Sequence, residues 1–284
     1  MKKLLTAWFV FVFLSSLSYT EPILTEDAKC LEKGSCELGL GVSYGVDAWK
    51  FDEANSPDYK MSLLKVGIPV KYGASEKFQL GAILPYRSWK FESDPDPYNV
   101  SESSAGIGQI AVNGKLGLSE NFAVGLNVQL PTADVDKMLG EGTNIGLLLI
   151  TTKDLEPLKI SGNLGYLLKM KYEDEDKTEY DPGDPIIVSA AVEYPMKSIS
   201  LIGEMQAQIF GKLKYTHEGG KETEWKDSNG TTIDMLVGSQ YSKDALKLKL
   251  GIAFAVGDED YRGGLFQFYE SWDWKVILSC AYKL

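Results

Sequence analysis

The sequence predicts an all-β fold: a twelve-stranded antiparallel transmembrane β-barrel, wound as an up-and-down meander behind an N-terminal signal peptide. Three observations predict it. Apolar residues recur at every second position over stretches of about 9–11 residues, the length of a tilted membrane strand. The connections between these stretches alternate between short and long. Aromatic residues gather at the two ends of the apolar phase rather than in its middle.

The elements follow in chain order. Lys2 and Lys3 precede the apolar run "LLTAWFVFVFL" and the small residues of "SSLSYTEP". A basic start, an apolar stretch too short to span a bilayer and a small-residue cleavage zone make residues 1–20 a signal peptide for export. Residues 21–35 read as a periplasmic N-terminal segment and residues 36–284 as the barrel. Alternating strands are expected over 38–44, 64–72, 78–86, 110–118, 122–130, 145–149, 158–166, 186–194, 199–209, 233–241, 246–254 and 272–284. In "ENFAVGLNVQLPTAD", Phe122, Val124, Leu126 and Val128 form one face, and Ala123, Gly125, Asn127 and Gln129 the other.

The connections decide what the apolar face touches. "GASE", "SEN", "KDLEP", "PMKS" and "SKDA" are short turns; between them lie stretches such as "ESDPDPYNVSESS", "EDEDKTEYDPGD" and "KLKYTHEGGKETEWKDSNGT". Short turns at one end and long polar loops at the other are the pattern of outer-membrane barrels. Tyr72, Phe78, Phe122, Tyr194, Tyr241 and Tyr282 fall beside short turns, and Tyr44, Tyr86, Tyr172, Trp272 and Trp274 near the long loops. Amphipathic rings in two belts fit two membrane–water interfaces. The surrounding partner is therefore outer-membrane lipid, in the cell outer membrane of a Gram-negative bacterium. An even strand number closes the wall and leaves no unpaired edge in lipid.

The opposite phase points inward. Candidate lumen residues are Lys65, Arg87, Lys115, Asn127, Gln129, Asn163, Lys169, Glu204, Gln206, Asp234, Lys249 and Lys275. Their charges are mostly positive, whereas the chain as a whole carries 40 acidic against 29 basic residues and a net charge of -11. That balance argues against nucleic acid as a partner. Two readings of the lumen stay open: a pore with mild anion preference, or a narrow interior plugged by paired charges, since twelve strands lie between filled and channel-forming barrels.

"VGIPVKYGASEKFQLGAILPY" followed by "SSAGIGQIAVNGKLGLSENFAVGLNVQLPTAD" resembles an outer-membrane family named for the MetA pathway of phenol degradation. The likeness rests on a strand ending in Pro85-Tyr86, on Gly106-Ile107-Gly108-Gln109 and on Leu130-Pro131-Thr132-Ala133-Asp134. Gln109 stands where that pattern has Asp, and Ala133 where it has Gly. The resemblance implies an outer-membrane barrel passing aromatic or other small apolar molecules. The alternative is a non-conducting surface barrel whose acidic extracellular loops serve adhesion, cation binding or structure.

No enzyme is expected. The single histidine, His217, sits in the longest loop without a serine at a strand position beside it, and catalysis needs an oriented nucleophile–base pair. No metal or cofactor site is expected either. Cys30 and Cys36 are the first disulfide candidate in an oxidising periplasm, with Cys36–Cys280 as the rival pairing. The final strand, "WDWKVILSCAYKL", resembles the C-terminal signal read by the outer-membrane barrel assembly machinery, a second implied partner.

Overall fold

The computed structural model describes residues 26–50, 58–94, 100–175, 177–216, 220, 222–224, 230–256 and 274–284. The signal peptide, residues 21–25, His217 and Trp272 lie outside the described residues. In chain order the strands are β1 (Cys36–Lys50), β2 (Asp58–Ser75), β3 (Phe78–Asp94), β4 (Val100–Ile107), β5 (Ala111–Gly117), β6 (Phe122–Gln129), β7 (Asn144–Leu155), β8 (Leu158–Lys169) and β9 (Tyr172–Glu173). They continue with β10 (Glu179–Asp181), β11 (Ile186–Met196), β12 (Ile199–Phe210), β13 (Lys214–Thr216), β14 (Thr223–Glu224), β15 (Gly230–Lys243), β16 (Leu246–Ala255) and β17 (Trp274–Lys283).

Wall strands pair antiparallel with their neighbours in sequence, and β17 returns to β1 in a continuous register from Glu37↔Lys283 to Val46↔Trp274. Counting β4 and β5 as two pieces of one strand, the wall is a closed twelve-stranded meander. Closure satisfies the backbone internally, as a lipid surround requires. Beyond the wall, at the long-loop end, β9, β10, β13 and β14 form a separate four-stranded sheet.

Burial alternates along each strand. In β6, Ala123, Asn127 and Gln129 are buried inside while Phe122 and Leu126 are exposed outside. The outer face continues with Ile68, Leu84, Leu147, Leu164, Leu201, Val237 and Ile252, all exposed. A belt of that extent exceeds any apolar patch that a water-soluble monomer leaves uncovered, so it faces lipid. Tyr72, Phe78, Tyr86, Phe122, Tyr194, Tyr241, Trp274 and Tyr282 are all at least 36% exposed on this face, and Tyr44 packs on Trp274 with ring centroids 6.0 Å apart. Tyr172 departs from the expected belt: it is buried and stacks on Tyr180 at 5.3 Å, inside the loop-end sheet.

The expected strand 110–118 is longer and broken. β4 pairs with the upper part of β3 (Tyr86↔Ile107) and β5 with the lower part (Ile83↔Ala111). The break falls opposite Pro85, which has no N–H to give the ladder. Gly108 closes up there, donating to Pro85 O at 3.0 Å; a Cβ on it would stand 3.2 Å from the Pro85 ring.

Candidate transport passage

Inside the short-turn end lies a cavity of about 750 Å³. Its wall is built from β1, β2, β8, β11, β12, β15, β16 and β17, with Gln79 of β3, Lys115 of β5 and Asp154 of β7. The opposite side is the N-terminal segment, residues 26–35, which follows the inner surface of β2, β3, β5, β7 and β8 as a half-belt. Ser35 and Gly34 pair with Gly73 of β2 (2.9 and 2.7 Å). A Cβ on Gly73 would lie 2.1 Å from Glu32 O, so only glycine lets the belt this close. Next, Leu31 N donates to Gln79 Oε1 (3.0 Å) and Ala28 N to Thr152 Oγ1 (3.1 Å). The Ala28 methyl packs among Ala123, Leu148 and Ile150. In the amide orientation that satisfies both its groups, Asn163 accepts from Glu26 N at 2.8 Å.

Lys115 holds the belt. Its side chain is 7% exposed, and Nζ donates to Lys29 O (2.8 Å), Asp27 O (2.9 Å) and Glu26 Oε2 (3.3 Å). Asp27 in turn accepts from Lys159, which also meets Glu193 at 3.8 Å. Burial pushes the Glu26 carboxyl up, but Lys115, Lys71 and Lys249 outweigh it and hold the group below its ordinary range. Asp27 is depressed too: burial opposes, while the Lys159 contact and the Lys29 N–H prevail. The belt enters the lumen ionised.

The sequence-derived lumen residues distribute as follows. Lys65, Lys115, Asn127, Gln129, Asn163, Lys169, Asp234 and Lys275 are buried in the inward phase. Arg87, Glu204, Gln206 and Lys249 share that phase and are half-buried. Glu204 and Lys249 line the cavity with Lys115. Asn144 Nδ2 donates to Gln129 Oε1 (2.9 Å), and Lys169 pairs with Glu141 of the loop 130–143 (3.2 Å). Lys275 is 3% exposed, and among the described residues its Nζ has no hydrogen-bond partner.

Three features escape the sequence reading. The first is the belt with its carboxylates. The second is a set of apolar residues in the inward phase: Met61, Leu63 and Trp89 pack with Leu139 of the loop 130–143, and Leu236, Ala253 and Ile277 form another patch. Met61 and Leu63 have the same parity as Lys65, so extending that alternation backwards would have found them. The third is Gln109, whose Nε2 donates to Glu141 O (3.1 Å) and Gly142 O (2.5 Å), and Trp89 Nε1 ties the same loop through Lys137 O (2.8 Å).

Two expectations need correction. The basic majority does not describe the cavity, where the described lining residues include six lysines and seven carboxylates because the belt and wall bring acids of their own. The disulfide pairings are not formed, and all three thiols are free. Cys30 turns inward, with Sγ against Lys77 O (3.4 Å) and Lys115 O (3.7 Å), whereas Cys36 sits opposite the outward Tyr72. Cys280 lies opposite Leu40, four residues along from Cys36, or about 13 Å at ~3.3 Å per residue. A disulfide needs Cα atoms within about 7 Å.

A family model described as "Putative MetA-pathway of phenol degradation" matches residues 60–269. Among solved structures, an outer-membrane channel from Pseudomonas putida F1 superposes with TM-score 0.71 at 14% identity, covering 92% of this chain and 100% of that one. The translocator domain of the autotransporter NalP from Neisseria meningitidis gives TM-score 0.53 at 11% identity, covering 89% of each chain. The β-domain of the Bordetella autotransporter BrkA gives 0.52 at 9% identity, covering 89% of this chain and 100% of that one. These likenesses establish the outer-membrane barrel fold. No curated protein gives a significant match.

Proposed function

Because the chain belongs to the family of the MetA pathway of phenol degradation, we propose that it is an outer-membrane channel through which small molecules diffuse, small aromatic or apolar ones among them. The observation that carries this reading is the cavity of about 750 Å³ within a closed wall. Barrels of eight strands fill their interior with side chains, whereas here a sizeable part of the lumen stays open. The channel named in the Pseudomonas putida F1 structure supports the reading through its fold. Leu31, Ala191 and Ile202 stand among the charged groups that line the cavity, so the lining offers contacts to a solute with an apolar body.

The proposed role is passage without chemical change of the solute. Purified protein reconstituted into liposomes should speed the entry of a small uncharged aromatic solute such as phenol above that of protein-free vesicles. For a solute that crosses lipid unaided, the control is a small sugar, which should enter faster as well. Equal rates with and without protein for both solutes would favour the non-conducting surface barrel.

A further inference from the structure

We propose that the N-terminal belt is the charge-discriminating element of this passage: Glu26 and Asp27 disfavour anionic solutes at the short-turn mouth, and Lys115 is the positioning residue that holds them there. The inference rests on the channel reading above. Among the described residues around the cavity, the barrel wall alone contributes five lysines and five carboxylates, a neutral lining. The belt adds Glu26, Asp27 and Lys29. Lys29 sits in an exposed pair with Asp154 (3.6 Å), where both side chains are 64% solvent-accessible and the charge is screened. Of the two carboxylates Glu26 is the more enclosed, at 14% exposed against 36% for Asp27, and both line the cavity. In a narrow mouth with low-dielectric walls, such fixed charges are focused rather than screened. With that exposed pair set aside, the wall has five lysines against four carboxylates and the belt adds two carboxylates, so the belt turns the lining net negative.

Lys115 contributes by geometry. Two of its three acceptors are main-chain carbonyls of Asp27 and Lys29, so it fixes the path of the belt as well as neutralising Glu26. Removing the ammonium leaves the carboxylates in the mouth without that counter-charge.

The test is the reversal potential of the full-length protein in planar bilayers under a potassium chloride gradient. The E26Q/D27N variant should move it towards the chloride potential, and Lys115→Gln should move it the other way, towards the potassium potential. A belt that merely narrows the mouth would change conductance in both variants without opposite shifts. Heat-modifiable migration on gels checks folding, and Glu26→Gln alone serves if the double variant fails that check. A conducting wild type whose variants keep its reversal potential overturns the proposal and leaves the channel standing. A silent wild type removes both.

Discussion

At the residue scale, Lys115 and the two belt carboxylates form one unit. Truncating one member of a buried hydrogen-bonded charge pair costs about 3–5 kcal/mol, because the partner is left uncompensated. The belt keeps its other anchors on Gly73, Gln79 and Thr152, so the expected outcome of Lys115→Ala is local loosening with the carboxylates still in the mouth. In a Cys36→Ser, Cys280→Ser background, Cys30 should then react with a water-soluble maleimide several-fold faster, and an unchanged rate would count against the latch. Protonation should act similarly. Glu26 and Asp27 have depressed values in the folded state, so their contribution is present above the ordinary carboxylate range and is lost as pH falls through the depressed values. Hydrogen-exchange protection of residues 26–31, corrected for intrinsic rates, should therefore hold at neutral pH and collapse on strong acidification. Protection that grows on acidification would have the wrong sign. The inward and outward phases can be tested just as locally. Leu278 is in the lipid-facing phase and Ser279 lines the cavity. Leu278→Lys should cost ~2–4 kcal/mol at the bilayer midplane, and Ser279→Lys clearly less, in urea unfolding from lipid vesicles.

At the scale of elements, the closing strand carries the sharpest expectation. β17 ends on the first residues of β1: Tyr282 opposes Leu38, Lys283 opposes Glu37, and Leu284 N donates to Cys36 O at 2.7 Å. Deleting residues 281–284 opens that end of the seam and leaves backbone groups unpaired at the membrane edge. The truncated protein should fail to accumulate in outer-membrane fractions, and normal levels there would refute the role given to the seam. Strand existence was legible because lipid outside and polar lumen inside enforce a two-residue period. β4 was not, because "VSESSAGI" pairs with β3 beyond the Tyr86 belt, where the outward Lys90 and Glu92 pair with each other and no apolar phase is needed. The loop 130–143 was hidden for a similar reason. Leu139 is 2% exposed, but its partners Met61, Leu63 and Trp89 come from strands far away in sequence.

At the scale of the whole molecule, alternation told which side chains face inward, while how they fill the lumen depends on segments that follow no period. The half-belt is fixed by a lysine, a glutamine, a threonine and an asparagine on four different strands, gripping main-chain groups that any sequence would offer. Charge counting over the wall strands alone gave a basic lumen, whereas at the mouth the wall charges nearly balance and the belt makes the lining acidic. What remains of the interior is a charged vestibule below a loop-packed upper half, and the central claim is that solutes cross it. Single-channel recording of the purified wild-type protein in planar bilayers tests this most directly. Discrete conductance steps in concentrated potassium chloride are expected, and they should enlarge when residues 26–31 are deleted. Silence from both proteins, each shown to be folded and inserted, would contradict that claim.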